Sequence, residues 1–73
     1  MITITRIINI KAVAELTCLS RSTIYELIKP KSDYYDATFP KRVNLTTNRV
    51  GWVAKEVNDW LESKIALRDK VET

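Results

Sequence analysis

Residues 12–30 read AVAELTCLSRSTIYELIKP. The chain's single cysteine, Cys18, stands here between two segments with helical patterning, and its role decides the fold. In the second segment Ile24, Leu27 and Ile28 recur at helical spacing, while Arg21, Ser22, Tyr25, Glu26 and Lys29 take the other sides. Ser20 is a good N-cap, because its hydroxyl can accept a bond from a free backbone N–H one turn in. Leu19 and Ile24 have the spacing of a hydrophobic staple around that cap. Pro30 disfavours helical geometry at Lys29 and ends the run. In the first segment Val13 and Leu16 share a face with Ala12 beside them. Asn9 is its cap, Ile8 and Val13 its staple, and the helix is expected from about Ile10 to Thr17. Only Cys18 and Leu19 then separate the helices. So short a link makes them cross steeply, provided one residue takes a left-handed backbone. Glycine is preferred there, and Cys18 fills the place at a cost of about 1 kcal/mol. The stretch is a helix-turn-helix, and Cys18 reads as a turn or core residue rather than a redox or metal site.

Working outward, Ile4, Ile7 and Ile8 with Thr3 and Thr5 read as a short strand or extended arm. The segment KPKSDYYDATFPK is polar and bounded by prolines, hence a loop, expected to pack against the hairpin that follows. In that hairpin KRVNL and NRVGWV flank the turn TTN. Alternation places Val43, Leu45, Val50 and Trp52 inward and Arg42, Asn44, Arg49 and Gly51 outward, with Asn48 the turn residue most tolerant of positive φ. The last helix is expected over residues 54–68, burying Val57, Trp60, Leu61 and Ile65. Both tryptophans are therefore expected in the core where hairpin meets helix, not as base-stacking platforms. The order is β-α-α-β-β-α: a mainly α domain with a small β-hairpin, a winged helix-turn-helix. It spans residues 1–73 as one domain, with 1–5 and 69–73 expected to be flexible.

Composition narrows the function classes. A 73-residue chain supports one marginal core and has little room for a deep substrate pocket. There is no histidine and one cysteine, so zinc sites and histidine-based catalysis lack their usual ligands. No cofactor, metal or enzymatic activity is expected. The lack of a disulfide fits a cytoplasmic location. MITITRIINI is too short and too interrupted for a signal peptide or a membrane span. The net charge is +3 and unevenly placed: residues 1–50 carry eight bases and four acids, residues 51–73 four bases and five acids. A basic front and a near-neutral back suggest one surface that faces a polyanion.

The segments LSRSTIY, YDATFPK and VGW before EVNDWL, set in a chain that matches from about Arg6 to Arg68, resemble the AlpA family of small phage and prophage regulators. That family is related to winged-helix excisionases and, more distantly, to MerR-type DNA-binding domains. Two departures stand out: Cys18 occupies a place where relatives usually have glycine, and TTN replaces glycines common at the wing tip. The resemblance implies a cytoplasmic DNA-binding regulator of a mobile element. Its partners would be double-stranded DNA, further copies of itself on that DNA, and an integrase or RNA polymerase.

A reading helix enters the major groove with its N-terminal half. Here that half carries Ser20, Arg21, Ser22 and Thr23, with Tyr25 one turn on. Arg21 can contact guanine bidentately; Ser22 and Thr23 suit phosphates or close approach to a base edge. Ser20 is a cap before it is a reader, Thr23 can turn back toward it, and Tyr25 either reaches the backbone or packs on the loop. Glu26 is a partner for Arg21 or Lys29, and Lys29 is at most a phosphate contact. The hairpin adds Lys41, Arg42, Asn48 and Arg49, which can follow the backbone or place Arg49 in a narrow minor groove. Two other functions compete with transcriptional regulation. One is an excisionase-type factor that bends attachment-site DNA; the other is a protein-interaction adaptor that binds no DNA.

Overall fold

The computed structural model describes residues 4–71. The elements follow the expected order: β1 (Ile7–Ile8), α1 (Ile10–Thr17), α2 (Arg21–Ile28), β2 (Val43–Asn44), β3 (Val50–Val53) and α3 (Ala54–Val71). It is a mainly helical, winged-helix-like domain with a small antiparallel sheet in the order β1-β3-β2.

Local chemistry sets the first two helices. The Asn9 side chain accepts the Ala12 N–H at 2.9 Å and starts α1. Cys18 ends it with φ 61 and ψ 26, the one non-glycine positive φ among the described residues, and its N–H donates to the Ala14 carbonyl at 2.8 Å. The Thr17 hydroxyl donates to the Val13 carbonyl and accepts the Leu19 N–H, which ties off the turn. Cys18 itself is exposed: it is a turn residue and not a core one. Ser20 then caps α2, which stops at Ile28 ahead of Pro30.

The core takes one side chain from each packed segment: Val13 of α1, Ile24 of α2, Phe39 of the loop, Trp52 of β3 and Val57 of α3. Fully burying side chains of this kind contributes about 1.5–3 kcal/mol each, so no segment is dispensable in so small a core. The Trp52 indole N–H is buried without a partner. The core is narrower than the helical stripes suggest. Leu16 and Ile65, both expected inside, are 54% and 45% exposed. α1 buries Val13 and packs Ile10 and Ala14 instead of Leu16. α3 runs three residues past its expected end, to Val71, and its second half extends beyond the core. The flexibility expected of residues 1–3 and 72–73 lies outside the described residues.

The hairpin departs from the expected facing. β3 lies between β1 and β2, pairing Ile7 with Val53, Ile8 with Trp52, Val43 with Gly51 and Asn44 with Val50. Directly paired residues share a side. Trp52, Val50 and Ile8 therefore face the core, while Val43, Gly51, Val53 and Ile7 share the outer side. Val43 and Leu45 were expected inward; both lie off the core, Leu45 half-exposed. Gly51 faces outward as expected and is buried all the same, because the Ile7 side chain of the neighbouring β1 and that of Leu45 cover it. A Cβ at Gly51 would overlap Ile7 Cγ2, stand 3.1 Å from the Ile8 carbonyl oxygen, and touch Leu45 Cδ1 at 3.6 Å. The turn closes through Arg49 N–H to the Thr46 carbonyl and Asn48 N–H to the Thr46 hydroxyl. Asn48 does not take positive φ.

The 29–41 loop packs against α3 and sets Phe39 into the core cluster that also holds Trp52 of the hairpin. Asp36 is its anchor. One carboxylate oxygen accepts the Thr38 N–H at 2.8 Å and the Thr38 hydroxyl. The other accepts the Trp60 indole N–H at 3.3 Å and meets Lys64 Nζ at 3.4 Å. The Asp36 N–H donates back to the Leu27 carbonyl at 2.9 Å. Phe39 meets Trp60 edge-on at 4.8 Å, and Lys64 lies over the same indole. Trp60 thus joins the loop to α3 at the edge of the core that holds Trp52. The hydrogen bonds from Thr38, opposed by burial and reinforced by Trp60 and Lys64, lower the Asp36 pKa from 3.8 to about 2.

Three tests follow from this packing. Cys18→Gly relieves left-handed strain but frees the unfolded chain, so a net gain of about 0.5–1 kcal/mol in chemical unfolding is expected. Gly51→Ala is expected to cost about 1–3 kcal/mol by overpacking, and markedly less in an Ile7→Ala background, because that variant removes the overlapping methyl. A depressed carboxylate stabilises above its unfolded pKa and loses that contribution as pH falls through the folded one. The stability gap between parent and Asp36→Asn should therefore be full above pH 3.8 and shrink as pH drops toward about 2, measured by denaturant titration across that range.

Candidate nucleic-acid interface

α2 places one side in the core through Ile24 and leaves its first turn in solvent. The Ser20 hydroxyl accepts the Thr23 N–H at 3.1 Å and shares a 2.8 Å hydrogen bond with the Thr23 hydroxyl. Those two side chains occupy each other. Arg21 and Ser22 remain as the exposed pair on that turn. The first turn holds no acidic residue, so the partial positive charge of the helix N-terminus is not neutralised from within.

Further along α2, Tyr25 is half-buried, its ring 6.5 Å from that of Trp52 and tilted 57°. Glu26 pairs with Ser32, whose hydroxyl donates to Oε1 at 2.7 Å, and with Lys29 at 3.5 Å; Arg21 is not its partner. The Ser32 bond is the main cause holding the Glu26 carboxyl below its ordinary pKa, against some desolvation and with help from Lys29. The Lys29–Glu26 pair is exposed and contributes little. Lys29 keeps most of its charge available to a stronger anion.

On the hairpin side Lys41, Arg42, Asn48 and Arg49 are all exposed. The Arg49 carbonyl accepts the Leu45 and Thr46 N–H groups, which fixes the backbone that carries its side chain. Among the described residues Arg21, Lys41, Arg42 and Arg49 form no salt bridge.

Two surfaces that the sequence presents separately meet in an open cavity of about 450 Å³. Tyr25 lines it from α2 and Lys29 from just past the helix end, Lys41 and Arg42 from the approach to β2. Arg21, Ser22, Asn48 and Arg49 lie outside its lining. The cavity also takes Tyr35 from the 29–41 loop, a residue whose role the sequence leaves open between packing and a protein contact surface. Its signal was available: Tyr34, Tyr35 and Phe39 lie between Lys31 and Lys41, aromatic residues flanked by cations. What the spacing lacks is the Asp36 anchor that folds this loop back beside α2.

No helix among the described residues is long and apolar enough to cross a membrane. No group of three or more histidine, cysteine, aspartate or glutamate side chains among them is placed to hold a metal ion.

The family model described as the prophage CP4-57 regulatory protein (AlpA) matches residues 6–65. The chain is 44% identical over 62 residues to the DNA-binding transcriptional activator AlpA of Escherichia coli (strain K12), covering 85% of this chain and 89% of that one. It is 39% identical over 69 residues to the uncharacterized protein ORF88 of Enterobacteria phage P4, covering 94% of this chain and 72% of that one. No solved structure matches. The resemblance in LSRSTIY, YDATFPK and VGW therefore extends along the whole domain, and the chain belongs to the AlpA family of prophage regulatory proteins.

Proposed function

We propose that this protein is a sequence-specific double-stranded-DNA-binding transcriptional regulator of a prophage or related mobile element, acting in the cytoplasm and without catalysis. The observation that carries the reading is the first turn of α2: Arg21 and Ser22 stand in solvent on a helix locked in the core through Ile24. A rigid helix with a free guanidinium at its head suits the major groove. Arg21 reads guanine there, Ser22 and Thr23 approach the bases or phosphates, and Ser20 holds the end of the helix. Tyr25, Lys29, Lys41 and Arg42 face the sugar-phosphate backbone, and the hairpin tip brings Asn48 and Arg49 to the strand beyond. The relative named as a DNA-binding transcriptional activator supports the same reading.

One domain of this size contacts few base pairs, so several copies on repeated sites supply the specificity. An integrase or RNA polymerase is the protein partner this proposal adds to the DNA. Bending of attachment-site DNA, the excisionase role, is the second reading; bending assays set against promoter fusions separate the two. Protection mapping across the integrase promoter and attachment site of the host element locates the target.

Arg21→Ala is expected to cost about 1–3 kcal/mol on the target duplex and to relax base preference at one position. Arg49→Ala should weaken target and unrelated duplexes alike and reduce the salt slope by about 1. Fluorescence anisotropy over a salt series reads both. Parent-like binding by both variants would refute this surface assignment.

A further inference from the structure

Lys41 and Arg42 are consecutive in sequence, yet both line the cavity beside α2, and neither has a carboxylate partner among the described residues. Lys29 stands just past the end of α2, held only by its exposed contact with Glu26. The single carboxylate in the lining, Asp36, is already met by Lys64 and Trp60 from α3 and by Thr38. The rim is therefore cationic. The walls between are apolar and aromatic: Tyr25, Ile28, Phe39 and Tyr35. Two unpaired cations above an aromatic wall, in an open cavity of about 450 Å³, suit a phosphate ester whose sugar lays its C–H face on an aromatic ring.

Resting on the duplex-binding reading above, we infer that this cavity seats one phosphodiester of the bound DNA. Lys41 and Arg42 share its phosphate, and its deoxyribose lies against Tyr35 and Tyr25. The loop pinned by Asp36 is then a third DNA-contacting element between the reading helix and the hairpin. Because the two cations serve one phosphate, the seat neutralises one backbone charge rather than two. The same chemistry could be offered by a free nucleotide, and the test separates the sources.

The salt dependence of binding counts neutralised phosphates, at a slope of about 0.9 for each on duplex DNA. Lys41→Gln, Arg42→Gln and the double variant are compared by anisotropy on target and unrelated duplexes over a salt series, with thermal unfolding checking that these exposed changes leave the fold intact. Each single variant should shift the slope by less than half that amount, since the remaining cation still holds the phosphate. The double variant should lower it by about 1, equally on both duplexes. Tyr35→Ala should weaken both duplexes to the same extent with the slope unchanged. A fall of about 2 in the double variant means two separate phosphates and overturns the shared seat; so does an unchanged slope. Calorimetric titration with 2′-deoxyadenosine 5′-monophosphate, and with inorganic phosphate as control, should show no saturable binding at sub-millimolar concentration. Saturable nucleotide binding that the double variant abolishes would overturn the DNA-backbone assignment in favour of a free ligand. If Arg21→Ala loses base preference while the double variant binds like the parent, the seat falls and the duplex reading stands. A parent that binds no duplex at low salt removes both.

Discussion

The left-handed backbone at Cys18 is the constraint on which the rest of the domain depends. It lets two eight-residue helices be joined through Cys18 and Leu19 alone and still cross, so that Val13 and Ile24 reach the same core. A residue with a Cβ is strained there, and local bonds hold it: Cys18 N–H to Ala14, the Thr17 hydroxyl to Val13, and Leu19 N–H back to that hydroxyl. Once the turn is fixed, the exposed side of α2 is fixed with it. With Ile24 buried and Ser20 capping the helix, the first turn stands at the edge of the core and carries Arg21 and Ser22 into solvent.

The second constraint is the size of that core. With five core side chains drawn from five segments, nothing is left to cover the longer apolar stripes of the helices. This explains why Leu16 and Ile65 are exposed although each falls on a regular stripe. It also explains why a polar loop contributes Phe39: the sheet is too small to close the core against α3, and the segment between α2 and β2 supplies the missing wall. Asp36 makes this possible by binding Trp60 and Lys64 on one side and its own loop on the other.

What could be read from the sequence was local. Asn9, Ser20 and Pro30 mark the ends of α1 and α2 within a turn of themselves, and Cys18 marks the link, so those boundaries follow from short-range chemistry. The facing of the hairpin does not. Period-2 alternation shows that Gly51 and Trp52 point oppositely, but only the register of β1 and β2 on either side of β3 decides that Val43 and Leu45 share the outer side with Gly51. The candidate site divides the same way. Arg21 and Ser22 are legible as the head of a capped helix. The meeting of Lys29 with Lys41 and Arg42, and the arrival of Tyr35 beside them, depend on a loop held by a hydrogen bond between residues 24 apart in sequence.

The most direct test of the central claim is an amide chemical-shift map of the isotope-labelled protein titrated with its protected duplex. If the turn at Cys18 presents α2 to the major groove, the largest changes fall on the amides of Ser20 to Thr23, with a second group near Lys41 and Arg49. Changes confined to the outer side of the sheet around Ile7 and Leu45, or to the second half of α3, with the first turn of α2 unmoved, would contradict it.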